Sequence, residues 1–556
     1  MKTIKNIAVL FALVPALLLS SCSKEYLNRT PTTALDTDLV LNSTDMIPST
    51  VVGTMRMMYS SAFGGKYATV IGDIMTDMVT SSIRGSNGSF KDMEEWNINQ
   101  STGDVETLYA ASFQIVAAAA RTIDAAKRKL NSDETLSTSQ EKNLQSAIAA
   151  SLTIKAYAEL FATQYFCVDV NVGKNNYAFG GTYTMPGNMP NTKVGIMLLE
   201  KPLELEEPAN IYTLDSTYRF LEKEIKEAIS YFESSGSNSF TLAGEARFFP
   251  TLCAAYIIQA RIFLAQHNYT EAIAAAEKAL NTLPANTNKN LISDPVKLLD
   301  AYGENLSSED IWSLNYTSQD NLSANSLQNL FSNYGFNPST YAIRLFNKDD
   351  IRRNLYYDGL ERKLPNDMKS YCMKYPNENA VFNVPILRVP EIYMIQAEAY
   401  AGSGNTQQAK EMLLAVLGVR DTTIHGDMAK LESKYKVDDA NIMQTILDEN
   451  AREFLGEGHR WSDLRRNGVR LTRDGSSEDP KFPIHFTNYP LSTFAFPIPY
   501  GETSTEQWKK GCGITDDGQQ VKPNWQNNAW DNKQGDTYSP TVTLPTEGDD
   551  YISESH

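Results

Sequence analysis

The sequence predicts a mainly α fold. It is a superhelix of about four tetratricopeptide-like helix pairs, carrying a large loop-rich, ligand-facing region with few short strands. Three observations carry that expectation. Apolar residues recur at helical spacing over long stretches, as in Val105–Leu130 with Leu108, Ala111, Ile115, Ala118 and Ala119 on one face. Two stretches, Pro250–Leu283 and Pro390–Leu417, repeat one design: a helix, a short polar turn, and an alanine-rich return helix. Between them, Asn286–Pro385 is mostly irregular and mixes aromatic residues with Asn, Ser and Gly, an excursion too long to be a simple connection.

In chain order, Lys2 and Lys5 precede the apolar run Ile7–Leu19, followed by Ser20-Ser21-Cys22. The run is shorter than the roughly 20 residues a bilayer span needs. A basic start, an apolar core and small residues before a cysteine read as a lipoprotein signal peptide over 1–21, with Cys22 the lipid-bearing first residue of the mature chain. Residues 22–556 are then read as one domain. Its scaffold lies mainly in 105–166, 218–283 and 386–468, and its ligand-facing loops in 60–104, 168–215 and 286–385. A closing segment and tail occupy 470–556.

Met46–Tyr59 reads as a helix. Asp73 and Asp77 follow within Ile71–Asp77; with nothing else of a calcium loop nearby, they read as capping or hydrogen-bonding carboxylates and no metal is expected. Ser81–Gly103 is polar and glycine-rich, hence loop. It carries Arg84, Trp96, Asn97 and Asn99. A tryptophan in such a stretch is either a local packing anchor or an exposed platform. Sugar rings stack their CH faces on aromatic rings, while amides and arginines bond the hydroxyls. These four residues are therefore ligand-binding candidates.

Gln140–Phe166 is the expected antiparallel partner of Val105–Leu130. Val168–Pro208 reads as loop, and Tyr218–Phe232 resumes the helical period. In the irregular excursion, Trp312 reads either as core or as part of a site, and Tyr316, Tyr334 and Tyr341 join the ligand-binding candidates, because aromatics interleaved with amides suit a saccharide. Ile446–Gly468 is an amphipathic helix, a break at Gly456 and Gly458, and a second short helix bearing Trp461 and Leu464. Its dense acids and arginines have two readings, a solvated charged face or a buried ion-pair network.

The net charge of −17 argues against nucleic acid, which needs a basic footprint. Cys167, Cys253, Cys372 and Cys512 lie far apart with no CxxC pair, so neither a disulfide framework nor a zinc site is indicated. The five histidines form no HExxH, and there is no Gly-x-Ser-x-Gly elbow or phosphate-binding loop. No catalytic residue and no cofactor are expected, and the chain is read as a non-enzyme.

The run Glu453–Arg466 resembles the C-terminal signature of the SusD/RagB family, surface lipoproteins of Bacteroidetes that capture nutrients for a SusC-type transporter. Ser23-Lys24-Glu25 resembles the export signal of such lipoproteins, and Tyr26–Pro31 their short motif after the lipidated cysteine. Leu387–Glu391 with Ala397-Glu398-Ala399, Phe496-Pro497-Ile498-Pro499 with Glu502, and Gln526–Trp530 resemble further family motifs. The resemblance implies a non-catalytic lipoprotein of the outer membrane, exposed at the cell surface. It would bind a glycan and pass it to a SusC-like TonB-dependent transporter. A RagB-like peptide binder with the same partner is the alternative, and a tetratricopeptide adaptor that binds only proteins is a third class. The resemblance assigns Glu453–Arg466 a structural role and implies that an aromatic from the early polar loop, here Trp96, contributes to ligand binding.

Overall fold

The structure, a computed structural model, describes residues 37–81, 89–170, 194–204, 207, 211–240, 242, 244–356, 372, 374–375, 379–473, 486–489 and 491–506. The leader, Cys22, Ser23–Pro31, Arg84, most of the loop expected over 168–208, Cys512, Gln526–Trp530 and the tail lie outside them. Among the described residues no helix is long and apolar enough to cross a membrane.

Helix α1 (Ser49–Met58) and helix α2 (Tyr67–Ile74) flank a π-turn at Ser61–Gly65. The long hairpin follows: α3 (Gly103–Leu130) and α4 (Thr138–Phe166). Helix α3 has Asp104 and Glu106 in its first turn and Lys127, Arg128 and Lys129 in its last, both favourable to the helix dipole. Helix α4 starts at a capping box in which the Ser137 side chain accepts from the Gln140 N–H and the Gln140 side chain accepts from the Ser137 N–H. Then come α5 (Leu214–Ser235), α6 (Leu252–Ala265) and α7 (Tyr269–Asn281). The last pair is α8 (Val389–Gly402), entered through Pro390, and α9 (Thr406–Arg420). Each of these helices from α3 to α9 packs on the next, giving the expected superhelix. Buried alanines, including Ala272, Ala276, Ala279, Ala397, Ala399 and Ala409, let the axes approach.

The strands form four antiparallel pairs among the described residues: β1 (Val79–Ser81) with β5 (Phe336–Pro338), β2 (Val194–Met197) with β3 (Ile211–Thr213), β4 (Asp310–Asn315) with β6 (Asn383–Arg388), and β7 (Leu471–Arg473) with β8 (Phe486–Tyr489). Strands β4 and β5 and the start of β6 fall inside the excursion read as mostly irregular, which the short helices Leu327–Ser332 and Thr340–Arg344 also punctuate. Strand β4 is buried along nearly its whole length, with Trp312 at its centre, so Trp312 is core.

Helices α10 (Ile442–Glu453) and α11 (Arg460–Arg466) close the scaffold, and here the buried reading of the charged stretch holds. Arg352 reaches Asp350, Glu449 and Glu453 at 2.7, 2.7 and 3.0 Å. Arg388 and Arg420 converge on Glu453 at 2.9 and 3.0 Å. Burial works against the Glu453 charge, but Arg420, Arg388 and Arg352 outweigh it and hold its carboxyl well below the usual range. His459 stacks on Phe454, and burial pushes its imidazole down to about 3, so it stays neutral. The two early aspartates belong to the same junction. Asp73 accepts from Gly456 N and Gly458 N at 2.7 and 3.2 Å, and Asp77 takes a two-pronged bond from Arg460 at 2.9 and 2.8 Å. Both glycines have positive φ, +82° and +77°, where a side chain would strain the turn that presents these N–H groups.

Candidate functional site

The structure removes Trp96 from the surface. The residue is 0% exposed, its φ is +55°, and its ring lies 5.1 Å from Tyr489, 5.0 Å from Phe494 and 6.3 Å from Trp461. A ring with no accessible face cannot stack on a sugar, so of the two readings of Trp96 the packing anchor is the one the fold realises. The left-handed turn that sends Trp96 inward leaves Asn97 and Asn99 exposed. Asn99 also staples the loop: its Oδ1 accepts from Ser101 N at 2.8 Å and its N–H donates to Thr102 Oγ1 at 2.9 Å.

Tyr316 follows β4. Its hydroxyl donates to Tyr59 O at 2.8 Å, its ring meets those of Tyr59 and Phe382 edge-on, and only 2% of it is exposed. Tyr334 is half-buried, with the Lys66 ammonium 5.6 Å from its ring centre. Tyr341 is 38% exposed but accepts from Arg460 Nη2 at 3.2 Å, which ties it to the Arg460–Asp77 pair.

A chain of contacts links Tyr316, Tyr334 and Asn99. Gly65 lies against Tyr316 so closely that a Cβ there would sit 2.8 Å from the hydroxyl. The next residue, Lys66, is caged by the rings of Tyr67, Phe90 and Tyr334, at 5.7, 5.4 and 5.6 Å. Burial lowers the Lys66 ammonium, partly offset by Asp104. Tyr67 is bonded to Asp104; burial, then that carboxylate, raises its phenol. Asp104 sits in the first turn of α3, whose N-terminal flank Thr102 holds Asn99. Lys66, Tyr67 and Asp104 went unread in the sequence. No periodicity marks them, and only the fold brings 65–67 against 334.

At the Tyr316 end of these contacts is a hollow of about 590 Å³, lined by Glu304, Asn315, Tyr316, Thr317, Asn321 and Asn379. That volume is in the range of small-molecule sites. The Asn315 amide nitrogen donates to Asn383 Oδ1 at 2.8 Å, which fixes the amide and leaves its oxygen for a ligand hydroxyl. Asn321 is likewise oriented by Ser318 O and Ser323 N. A second space, about 90 Å³, lies inside the scaffold among Arg261, Glu391, Glu398, Asp463 and Arg466. Its charges are paired, Arg261 with Glu391 and Arg466 with Glu398 and Asp463, and it has room for only about three waters at roughly 30 Å³ each. Its lining belongs mostly to the scaffold helices.

Residues 348–546 match the model of the SusD family. This C-terminal part of the chain is similar to the SusD family. Solved structures share the fold of this chain over most of its length. A SusD superfamily protein from Bacteroides thetaiotaomicron VPI-5482 superposes with a TM-score of 0.67 at 18% identity, covering 83% of this chain and 98% of that one. A SusD-like carbohydrate binding protein from Bacteroides vulgatus ATCC 8482 gives 0.62 at 17%, covering 79% and 86%. The surface glycan-binding protein A from Bacteroides fluxus gives 0.59 at 17%, covering 82% and 97%. No curated protein matches the sequence.

Proposed function

We propose that this chain is a non-catalytic glycan-binding lipoprotein. It is anchored in the outer membrane through Cys22, faces the outside of the cell, and delivers oligo- or polysaccharide to a SusC-like TonB-dependent transporter. The observation that carries the glycan reading is the amide-lined hollow at Asn315 and Asn321; its Tyr316 packs on Gly65, whose neighbour Lys66 lies over the half-buried ring of Tyr334. Oriented amides supply paired donors and acceptors for sugar hydroxyls, and an aromatic edge supplies the CH-stacking surface. Each sugar bond made this way exchanges with water, so affinity comes from several weak contacts along a chain.

The test is an affinity gel with the soluble form that starts after Cys22, run against plant and host polysaccharides, with calorimetry on a peptide digest beside it. Retardation by a polysaccharide, weakened in an Asn315→Ala, Asn321→Ala double variant, is the expected result. A heat signal from peptides with no retardation in any gel would replace the glycan by a peptide ligand.

A further inference from the structure

The polar loop that carries Asn97 and Asn99 is locked to the closing segment from both sides. On the inner side Trp96 packs against Phe494, ring centres 5.0 Å apart. On the outer side the Tyr500 N–H donates to Gln100 O at 2.9 Å. Between these points Phe496 and Ile498 are buried and Pro499 fixes the entry into a last short turn, Tyr500–Thr503. Gly501 follows so close to α3 that a Cβ there would lie 2.9 Å from Glu106 Oε1. Tyr500 is nevertheless 64% exposed, far more than Tyr316 at 2%. A large aromatic ring is thus held in water, next to a stapled loop whose exposed residues include the amides Asn97 and Asn99.

We propose that Tyr500, with Asn97 and Asn99, forms a second saccharide subsite, distinct from the hollow at Asn315 and Asn321. This rests on the glycan reading and deepens it: the ligand is a chain of several sugar units, long enough to occupy the hollow and reach the Tyr500 ring. The ring presents its face to sugar CH groups, as the sequence suggested for Trp96. Asn97 is exposed and its backbone is fixed by a bond to Asp92 O at 2.8 Å, while Asn99 spends its oxygen on the staple and keeps its NH₂ to donate. Glu106 lies beside Gly501, Glu502 follows it in the closing segment, and Asp92 and Asp104 flank the loop. So acidic a rim selects neutral or amino sugars over uronates and sulfated sugars.

The experiment takes the polysaccharide that the wild-type protein retards. It measures binding of its disaccharide and of its long oligosaccharide fraction by calorimetry, for wild type, Tyr500→Ala and Tyr500→Phe. Tyr500→Ala is expected to weaken the long fraction about three- to tenfold and to leave the disaccharide within about twofold, while Tyr500→Phe matches wild type. Because the ring is exposed, the melting temperature of each variant should equal that of wild type. Equal binding of the long fraction by wild type and Tyr500→Ala would overturn the subsite while leaving the glycan reading in place. So would an equal loss for both ligand lengths. Failure of the wild type to bind any polysaccharide would overturn the glycan reading and this subsite with it.

Discussion

Glu159 on α4 and Glu224 on α5 reach the same ammonium, Lys155 Nζ, each at 2.6 Å, and all three side chains are buried. Two carboxylates on one buried cation cannot both carry full charge cheaply. Burial and then the neighbouring Glu224 push the Glu159 carboxyl well above its ordinary range, while Lys155 is raised because the two carboxylates outweigh burial. The folded protein therefore holds a proton on Glu159 where the unfolded chain releases it. Its contribution to stability is fully present below the ordinary glutamate range and is lost as pH rises through the folded value. Glu159→Gln keeps the shape and removes the titration. Its unfolding free energy, measured in urea at pH 5 and pH 9, should fall less with pH than that of wild type. Lys155→Met strands both acids and should cost about 3–5 kcal/mol at pH 8.

The helical scaffold was legible because burying one stripe per helix forces a 3.6-residue period into the sequence, as in α3 and α4. The two aspartates at 73 and 77 were legible as hydrogen-bonding groups, but not their partners. Gly456, Gly458 and Arg460 lie almost four hundred residues later, and nothing local marks such pairing. The same distance defeated the choice between solvated and buried readings of the Glu453–Arg466 charges. Arg352, Arg388 and Arg420, which bury Glu453, come from other segments. Trp96 was readable as an aromatic in a polar loop, but its direction depends on Tyr489, Phe494 and Trp461, which only the fold supplies.

Two glycines should respond in opposite directions. Gly402 ends α8 against the Tyr269 ring, where a Cβ would lie 2.7 Å from Cε1. That ring is held by a 2.6 Å bond between its hydroxyl and His267 Nδ1, so it yields little. Gly402→Ala should destabilise by about 1–3 kcal/mol through overpacking of the α7–α8 contact. Gly53, in the middle of α1, has open space around the same position. Gly53→Ala should raise stability by about 0.5–1 kcal/mol, because alanine loses less backbone entropy in a helix. Denaturation midpoints of the two variants, compared with wild type, check both signs.

Trp96→Ala is expected to act on folding. Truncating a fully buried indole among three aromatic rings leaves a cavity and should cost about 3–5 kcal/mol. Any loss of ligand binding in that variant should recover when binding is measured well below its lowered melting temperature. Binding that stays absent while near-UV circular dichroism matches wild type would return Trp96 to the ligand.

Tyr334 and Tyr341 stood as equal candidates in the sequence, and the structure separates them. Tyr334 sits half-buried over Lys66, with a ring edge left for a ligand. Tyr341 accepts from Arg460, and the guanidinium lies 5.8 Å from its ring centre. Burial, then the Asp77 carboxylate, pushes its phenol up to about 12, so it remains a neutral partner of that arginine across the physiological range. Tyr334→Ala should therefore weaken glycan binding about three- to tenfold, the scale of one aromatic contact, with little change in melting temperature. Tyr341→Ala should leave binding unchanged and lower stability by about 0.5–1.5 kcal/mol, since Arg460 keeps both bonds to Asp77 and loses only the hydroxyl. Calorimetric titration and thermal melting of the two variants on one ligand decide the assignment. A binding defect confined to Tyr341→Ala would move the site from the Lys66 contacts to the Arg460 side of β5.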